Sequence, residues 1–61
     1  MIYKFINDGD IMEVKKDGKL CHLKINNVHT SKVMEFYLET NAIYDLIGAL
    51  HEVKKRIEKQ K

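Results

Sequence analysis

The sequence predicts an α+β fold in which a four-stranded antiparallel β-meander is followed by one C-terminal amphipathic α-helix packed on one face of the sheet. Two Asp-Gly pairs, Asp8-Gly9 and Asp17-Gly18, are separated by nine positions and flanked by runs rich in isoleucine, valine and aromatic residues. From about Asn41 the apolar residues change from alternation to the three-and-four spacing of a helix. These observations predict a single ββββα domain over residues 1–61.

The two Asp-Gly pairs predict two-residue hairpin turns, because such turns need the positive φ values that Asp-Gly adopts easily. The first turn then pairs residue 7 with residue 10, and the second pairs residue 16 with residue 19. Counting outwards places Phe5 and Leu23 on either side of Met12, and it places Cys21 opposite Val14. Both turns therefore put the same residues of the middle strand on one face.

A third connection near His29-Thr30-Ser31 leads into a predicted strand from Val33 to Glu39. Alternation along the four strands defines an inner face, which we expect to lie under the helix: Tyr3, Phe5, Met12, Val14, Cys21, Leu23, Ile25, Met34, Phe36 and Leu38. The opposite side is the outer face: Ile2, Lys4, Ile6, Ile11, Glu13, Lys15, Leu20, His22, Lys24, Val33, Glu35 and Tyr37.

The predicted helix carries one apolar stripe: Ile43, Leu46, Ile47, Leu50, Val53 and Ile57. Thr40 or Asn41 is expected to cap its N-terminus, because hydroxyl and amide side chains accept hydrogen bonds from the first free N–H groups. A helix of about 18 residues is roughly 27 Å long, whereas strands of about six residues span about 20 Å. The end of the helix near Ile57 should therefore extend past the sheet.

The composition predicts a small protein in a reducing compartment. A domain of this size buries only about 60% of the surface that its unfolded chain exposes, so it needs a disulfide, a metal or self-association. Cys21 is the only cysteine, and no histidine stands at a metal-ligand spacing from it. We therefore expect no disulfide, metal or cofactor, and a homodimer or higher oligomer. No secretory leader or membrane-spanning segment is visible, so a cytoplasmic location is predicted.

The outer face is a candidate contact surface because apolar residues lie there among the charged ones. One reading is an ordinary exposed face with scattered apolar residues, and another is a dimer interface. A third is a platform on which nucleic-acid bases stack while lysines meet phosphates. The candidate contacts for nucleic acid or a partner are Lys4, Lys15, His22, Lys24 and Tyr37.

Charge pairing weakens the nucleic-acid reading of the outer face. The register places Lys4 opposite Glu13, and it places Lys24 opposite Glu35 if the third turn is centred on His29-Thr30. Paired charges offer little net field to a phosphate backbone, and the net charge of the chain is only +2.

The helix has a second candidate contact flank, formed by Tyr44, Gly48, His51 and Lys55 at steps of four, three and four. Gly48 costs helix stability, about 1 kcal/mol relative to alanine, and a close approach by another chain would explain it. Together with Ile57 this flank is the expected oligomer or partner face. The alternative is a solvated flank with an incidental glycine.

Catalysis has no support in the sequence. Cys21 falls on the predicted inner face without a histidine beside it, and Thr30 and Ser31 lie in a loop without a base. No glycine-rich phosphate loop is present. The chain is therefore predicted not to be an enzyme.

The segment Glu35-Phe36-Tyr37-Leu38-Glu39-Thr40-Asn41 runs from a strand through polar residues into the amphipathic helix from Ile43 to Ile57. In this element order, over nearly the whole chain, the sequence resembles the PC4-like single-stranded DNA-binding proteins. The resemblance implies subunits that pair through their helices and bind single strands on their sheets.

Two functions of different classes follow from the sequence. One is a small homo-oligomeric protein that binds single-stranded nucleic acid. The alternative is a phage-type protein-interaction module that binds and modulates a larger host protein; the excess of Lys, Ile and Asn would suit an AT-rich genome of that kind. Salt dependence of binding would distinguish them, because phosphate contacts weaken steeply with ionic strength.

Overall fold

The computed structural model describes residues 1–60 and confirms the predicted α+β class. Four antiparallel strands form one open sheet in the order β1-β2-β3-β4, and a single helix follows. The elements are β1 (Ile2–Asn7), β2 (Asp10–Asp17), β3 (Leu20–Asn27), β4 (Val33–Leu38) and α1 (Thr40–Lys59). Within the described residues, the helix lacks the apolar length that crossing a membrane would require.

The first hairpin has the predicted turn and register. Asp8 and Gly9 both have positive φ, at 48° and 90°, which are the signs of a type I′ turn. Asn7 pairs with Asp10, and Phe5 lies opposite Met12 as counting from the turn requires.

The strand register of the second hairpin is shifted by two residues relative to the prediction. Its turn residues are Gly18 and Lys19, so Asp17 pairs with Leu20 and Val14 lies opposite Leu23 instead of Cys21. Gly18 alone in this turn has positive φ, at 63°, as a type II′ turn requires at its first central position. The prediction was wrong because it put the glycine second in the turn. A shift of two preserves the faces of the strands, because side chains alternate with a period of two.

The observed register also explains why the shift is favourable. It places Lys24 opposite Glu13, whereas the predicted register would have placed Lys24 opposite Ile11. Across the third connection Lys24 lies opposite Glu35, as predicted for a turn centred on His29-Thr30. Lys24 therefore has an acidic cross-strand neighbour on each side, which is the favourable arrangement for a charged residue in a sheet.

The third connection is held by Asn27. Its side-chain Oδ1 accepts hydrogen bonds from the backbone N–H groups of His29 and Thr30, at 2.9 and 3.1 Å. The backbone N–H of Val28 donates to the carbonyl of Gly9 at 3.0 Å, so this connection packs against the first turn. These bonds explain how a connection without an Asp-Gly pair is held in one conformation.

One residue, Glu39, separates the end of β4 from the start of the helix. Glu39, with φ −76° and ψ 168°, is the N-cap residue and makes no side-chain capping bond. The predicted cap at Thr40 or Asn41 was therefore wrong, because both residues are already helical. The first intrahelical bond runs from the N–H of Ile43 to the carbonyl of Glu39, at 3.0 Å.

The helix packs on the sheet through its first turn. It approaches β3 and β4, and Ala42 and Ile43 are its partly buried residues. From Tyr44 to Lys59 every residue is exposed. The expectation that the whole apolar stripe would cover the inner face was therefore wrong, because α1 leaves the sheet after Ile43. Among residues 1–60 no apolar side chain is buried.

Candidate functional site

The inner face of the sheet is an uncovered apolar surface. Two cross-strand rows run over all four strands, and each is made only of apolar or aromatic side chains: Tyr3, Val14, Leu23 and Phe36 in one, and Phe5, Met12, Ile25 and Met34 in the other. The residues of β2 and β3 are half-buried, while those of the outer strands are open to solvent; Phe5 is 59% exposed. The inner face is therefore an apolar surface that the helix of the same chain leaves largely uncovered.

Two open depressions shape the inner face. One has a volume of about 530 Å³ and includes Tyr3, Val14, Cys21 and Ile43 in its lining. The other, of about 330 Å³, includes Phe5, Met12 and Ile25. Lys16 also lines the first depression and Asp10 the second, so each depression has a charged residue at its end of the face.

The helix presents a second uncovered apolar surface, which is the stripe from Leu46 to Ile57. Leu50, at the centre of the stripe, is 61% exposed, and Ile47, Val53 and Ile57 are each more than half exposed. We use the term apolar surface for the inner face together with this stripe. Its two parts belong to one chain, yet the helix is partly buried only at Ala42 and Ile43.

The overall dimensions measure how much surface is left uncovered. The chain exposes 5561 Å², whereas a compact monomer of 7.2 kDa exposes about 4,100 Å². Its radius of gyration is 13.5 Å, against about 10.5 Å for a compact domain of this length. The excess of roughly 1,400 Å² per chain is as large as one partner's share of an obligate protein interface.

His22 is the one buried polar residue of the outer face, with 7% of its surface exposed. Its ring stacks on that of Tyr37, the cross-strand neighbour on β4, with centroids 4.7 Å apart and planes at 20°. Its Nε2 lies 2.9 Å from Oε1 of Glu35. Because a carboxylate can only accept, Nε2 carries the proton in this bond.

A row of alternating charges runs across the outer face: Lys4, Glu13, Lys24 and Glu35. In the part of the chain that the structure describes, none of these lysine–glutamate neighbours closes into a salt bridge, and the ion pair found is His22 with Glu35. The row sums to no net charge. It therefore offers little attraction to a polyanion.

The structure places all five predicted outer-face contacts on one side of the sheet. Lys15, His22 and Tyr37 share one cross-strand row, and Lys4 and Lys24 lie in the row of alternating charges. His22 is covered, so its ring has little surface left for a ligand. Tyr37 remains 55% exposed although one side of its ring meets His22.

The predicted flank of the helix lies open along its length. Tyr44, Gly48, His51 and Lys55 are all exposed, and a Cβ added at Gly48 would meet nothing within 4 Å. Within one chain, then, no close approach explains the glycine. Ile57 lies on the apolar stripe, about 160° around the helix from Lys55 at 100° per residue.

Sequence reasoning assigned the inner face to a core and so missed it as a candidate site. The signal was present, because two complete rows of the face are apolar while the helix follows β4 with a single intervening residue. It also missed the hydrogen bond between Asn27 Nδ2 and Asp10 Oδ1, at 2.6 Å, which joins the third connection to β2.

The fold and this surface define a small α+β protein with an uncovered apolar face. No protein-family model matches the chain, and neither the curated proteins nor the solved structures include a match to it.

Proposed function

We propose that this protein is a non-catalytic protein-interaction module that binds its partner through the apolar surface. One observation carries the proposal: two apolar rows of the sheet and the apolar stripe of the helix are exposed in the same chain. Monomeric proteins rarely expose continuous apolar patches beyond a few hundred Å², and larger patches mark interaction sites.

The chemistry of this surface favours a protein as the ligand. The two rows contain no charged side chain, and an apolar surface gains free energy by removal from water. A nucleic acid would instead require cations, which here lie on the outer face, around the turns and in the C-terminal half of the helix. Aromatic and methionine side chains such as Tyr3, Phe36 and Met34 are also the types enriched at protein interfaces.

The test compares association by wild type, by Phe36→Glu on the inner face and by the matched control Ile6→Glu on the outer face. Association with any protein, including the chain itself, is measured by sedimentation and by affinity capture at about 50 and about 200 mM salt. We expect wild type and Ile6→Glu to associate at both salt concentrations, and Phe36→Glu to lose the association. If Phe36→Glu retains every association of the wild type, the proposal is wrong.

A second candidate function, binding of single-stranded nucleic acid, is favoured by one observation on the outer face. Lys15, His22 and Tyr37 form one cross-strand row in which the exposed ring of Tyr37 lies two strands from the cation of Lys15. Stacking platforms combine exposed rings with cations along a groove. This site would be independent of the apolar surface, because it lies on the opposite side of the sheet.

The test of this second function is a titration of a fluorescently labelled oligonucleotide. Tyr37→Ala should weaken binding by about 1–3 kcal/mol, and Lys15→Ala should reduce the slope of log affinity against log salt by somewhat less than one. Tyr44→Ala and Lys16→Ala are matched controls away from the row and should change neither quantity. Wild-type protein without salt-dependent binding would eliminate this function and leave the protein-interaction module unaffected.

A further inference from the structure

We propose that the partner of the apolar surface is a second copy of this chain, and that the helix stripe of each copy packs across the inner face of the other. This inference rests on the proposed function, because it assigns the occupant of the same surface. The uncovered sheet of one chain and the uncovered stripe of the other are the two halves of one core.

The area of the uncovered surface is the area that a dimer with exchanged helices would bury. Covering the excess of roughly 1,400 Å² on both chains would bury about 2,800 Å² in total, which falls in the range of obligate homodimers. Both chains would then reach the surface that is normal for compact proteins of their size. A domain of this length usually needs oligomerisation or a cross-link, since its own core is too small to stabilise it.

The dimensions of the two parts also agree. The stripe from Leu46 to Ile57 covers about 17 Å at 1.5 Å per residue. Four strands spaced about 4.8 Å apart make a sheet about 19 Å wide. One helix therefore crosses all four strands of a partner, including β1 and β2, which the helix of the same chain does not approach.

The path of the chain explains why the stripe does not cover its own sheet. β4 lies at the edge of the sheet, and only Glu39 separates it from α1. The helix contacts β3 and β4 at its first turn and then projects beyond the sheet, which gives the chain extents of 34 × 31 × 18 Å. A two-fold axis would give each projecting helix an equivalent sheet and close the assembly at two copies.

Electrostatics permits the same pairing. Each copy carries a formal charge of +2. The two apolar rows contain no charged residue, and the surface of the stripe carries one, Lys54, which lies beside Leu50 and Ile57 at 100° per residue. The charged residues of the row Lys4 to Glu35 would remain on the outer faces, away from the interface. Lys16 and Asp10 lie at the two ends of the inner face, outside the two rows. Lys54 can bury its methylene chain while its ammonium group stays in water, so packing two copies needs no charge without solvent or a partner.

The deciding experiment is a complementation test with one variant in each half of the interface, Phe36→Glu in the sheet and Leu50→Glu in the helix. Each variant alone would damage both helix–sheet contacts of its homodimer, and we expect dimerisation to weaken at least 100-fold. A mixture refolded together forms heterodimers in which one contact is wild type and the other carries both changes. We expect the mixture to recover dimers that neither variant forms alone.

Each alternative arrangement gives a different result in this test. If the dimer were made by helices alone, Leu50→Glu would abolish it while Phe36→Glu would dimerise like wild type. If each helix folded back on its own sheet, mixing would restore nothing. Either result overturns the exchange of helices. The variants Ile6→Glu and Tyr44→Glu, on the outer face and off the stripe, are controls that should dimerise normally.

A measurement on the wild type tests the same arrangement without depending on whether the variants fold. In a dimer of isotope-labelled and unlabelled chains, filtered NMR spectra report contacts between different copies only. We expect contacts between the methyl groups of Leu50 or Ile57 and the rings of Tyr3, Phe5 or Phe36. A dimer without such contacts, or a chain that stays monomeric at about millimolar concentration, overturns the proposal. A monomer that still captures another protein through Phe36 would leave the protein-interaction module intact.

Discussion

His29 packs against Gly9 so closely that a Cβ on Gly9 would lie 2.7 Å from Cδ2 of the imidazole ring. The contact joins the third connection to the turn between β1 and β2, where the N–H of Val28 also donates to the Gly9 carbonyl. Two turns at the same end of the sheet therefore act as one structural unit.

Replacing Gly9 with alanine should destabilise the fold more than replacing Gly18. Both glycines have positive φ, which costs an alanine about 1–2 kcal/mol. At Gly9 the new methyl group would also displace His29, whereas at Gly18 it would meet nothing within 4 Å. Chemical denaturation would measure the difference. The double variant with His29→Ala should recover part of the loss at Gly9, and equal losses at the two glycines would contradict the expectation.

Asn27→Ala should lower the free energy of unfolding by about 0.5–1.5 kcal/mol, because it removes a solvent-exposed hydrogen bond to Asp10 and leaves two loop N–H groups without their acceptor. Asn27→Asp keeps the acceptor but places a carboxylate against Asp10, so it should also destabilise. The exchanged pair, Asp10→Asn with Asn27→Asp, should recover stability in a denaturant titration. A double variant no more stable than Asn27→Asp would show that the contact contributes little.

Lys24→Glu should destabilise the sheet by about 1–2 kcal/mol, because it would place an acidic residue between Glu13 and Glu35. Lys24→Gln, which is neutral, should lower the free energy of unfolding by less than half as much. The excess loss of the glutamate variant should shrink as salt is added, since salt screens exposed charges. Thermal melts at low and high salt would measure both effects, and identical melts of the two variants would contradict them.

His22→Ala should cost about 1–3 kcal/mol, because it removes the stack on Tyr37 and the hydrogen bond to Glu35 from a buried position. Glu35→Ala keeps the stack but removes the hydrogen bond and the acidic neighbour of Lys24 from a half-exposed position, and it should cost less. Denaturation of the two variants separates packing from hydrogen bonding. A larger loss for Glu35→Ala would show that the stack has little part in stability.

If two copies share one core, the melting temperature of the wild type should rise with protein concentration, because association stabilises only the folded state. Leu50→Ala should lower the melting temperature at every concentration, since it removes a side chain from the centre of the stripe. Tyr44→Ala, off the stripe, should melt like wild type. A melting temperature that does not change over a hundredfold range of concentration would contradict a shared core.

The strands, their faces and the fold class could be read from the sequence because they depend on local chemistry. The turn at Asp8-Gly9 determines its register through the φ values of two residues, and Lys24 opposite Glu35 follows from counting around the third turn. The second turn shows the limit of this reasoning. Type I′ and type II′ turns both accept a glycine beside Asp17, and the choice between them depends on which strand pairing is more favourable overall.

The tertiary structure decided where the apolar stripe lies. The sequence by itself determined that the stripe exists and that the inner face is apolar, because both are periodic patterns within a few residues. Whether Leu50 meets its own sheet or another chain depends on the direction in which α1 leaves β4 after Glu39, and in this structure that direction leaves only Ala42 and Ile43 of the helix partly buried. A pattern of apolar residues specifies what must be buried, and only the path of the backbone in space determines what can cover it.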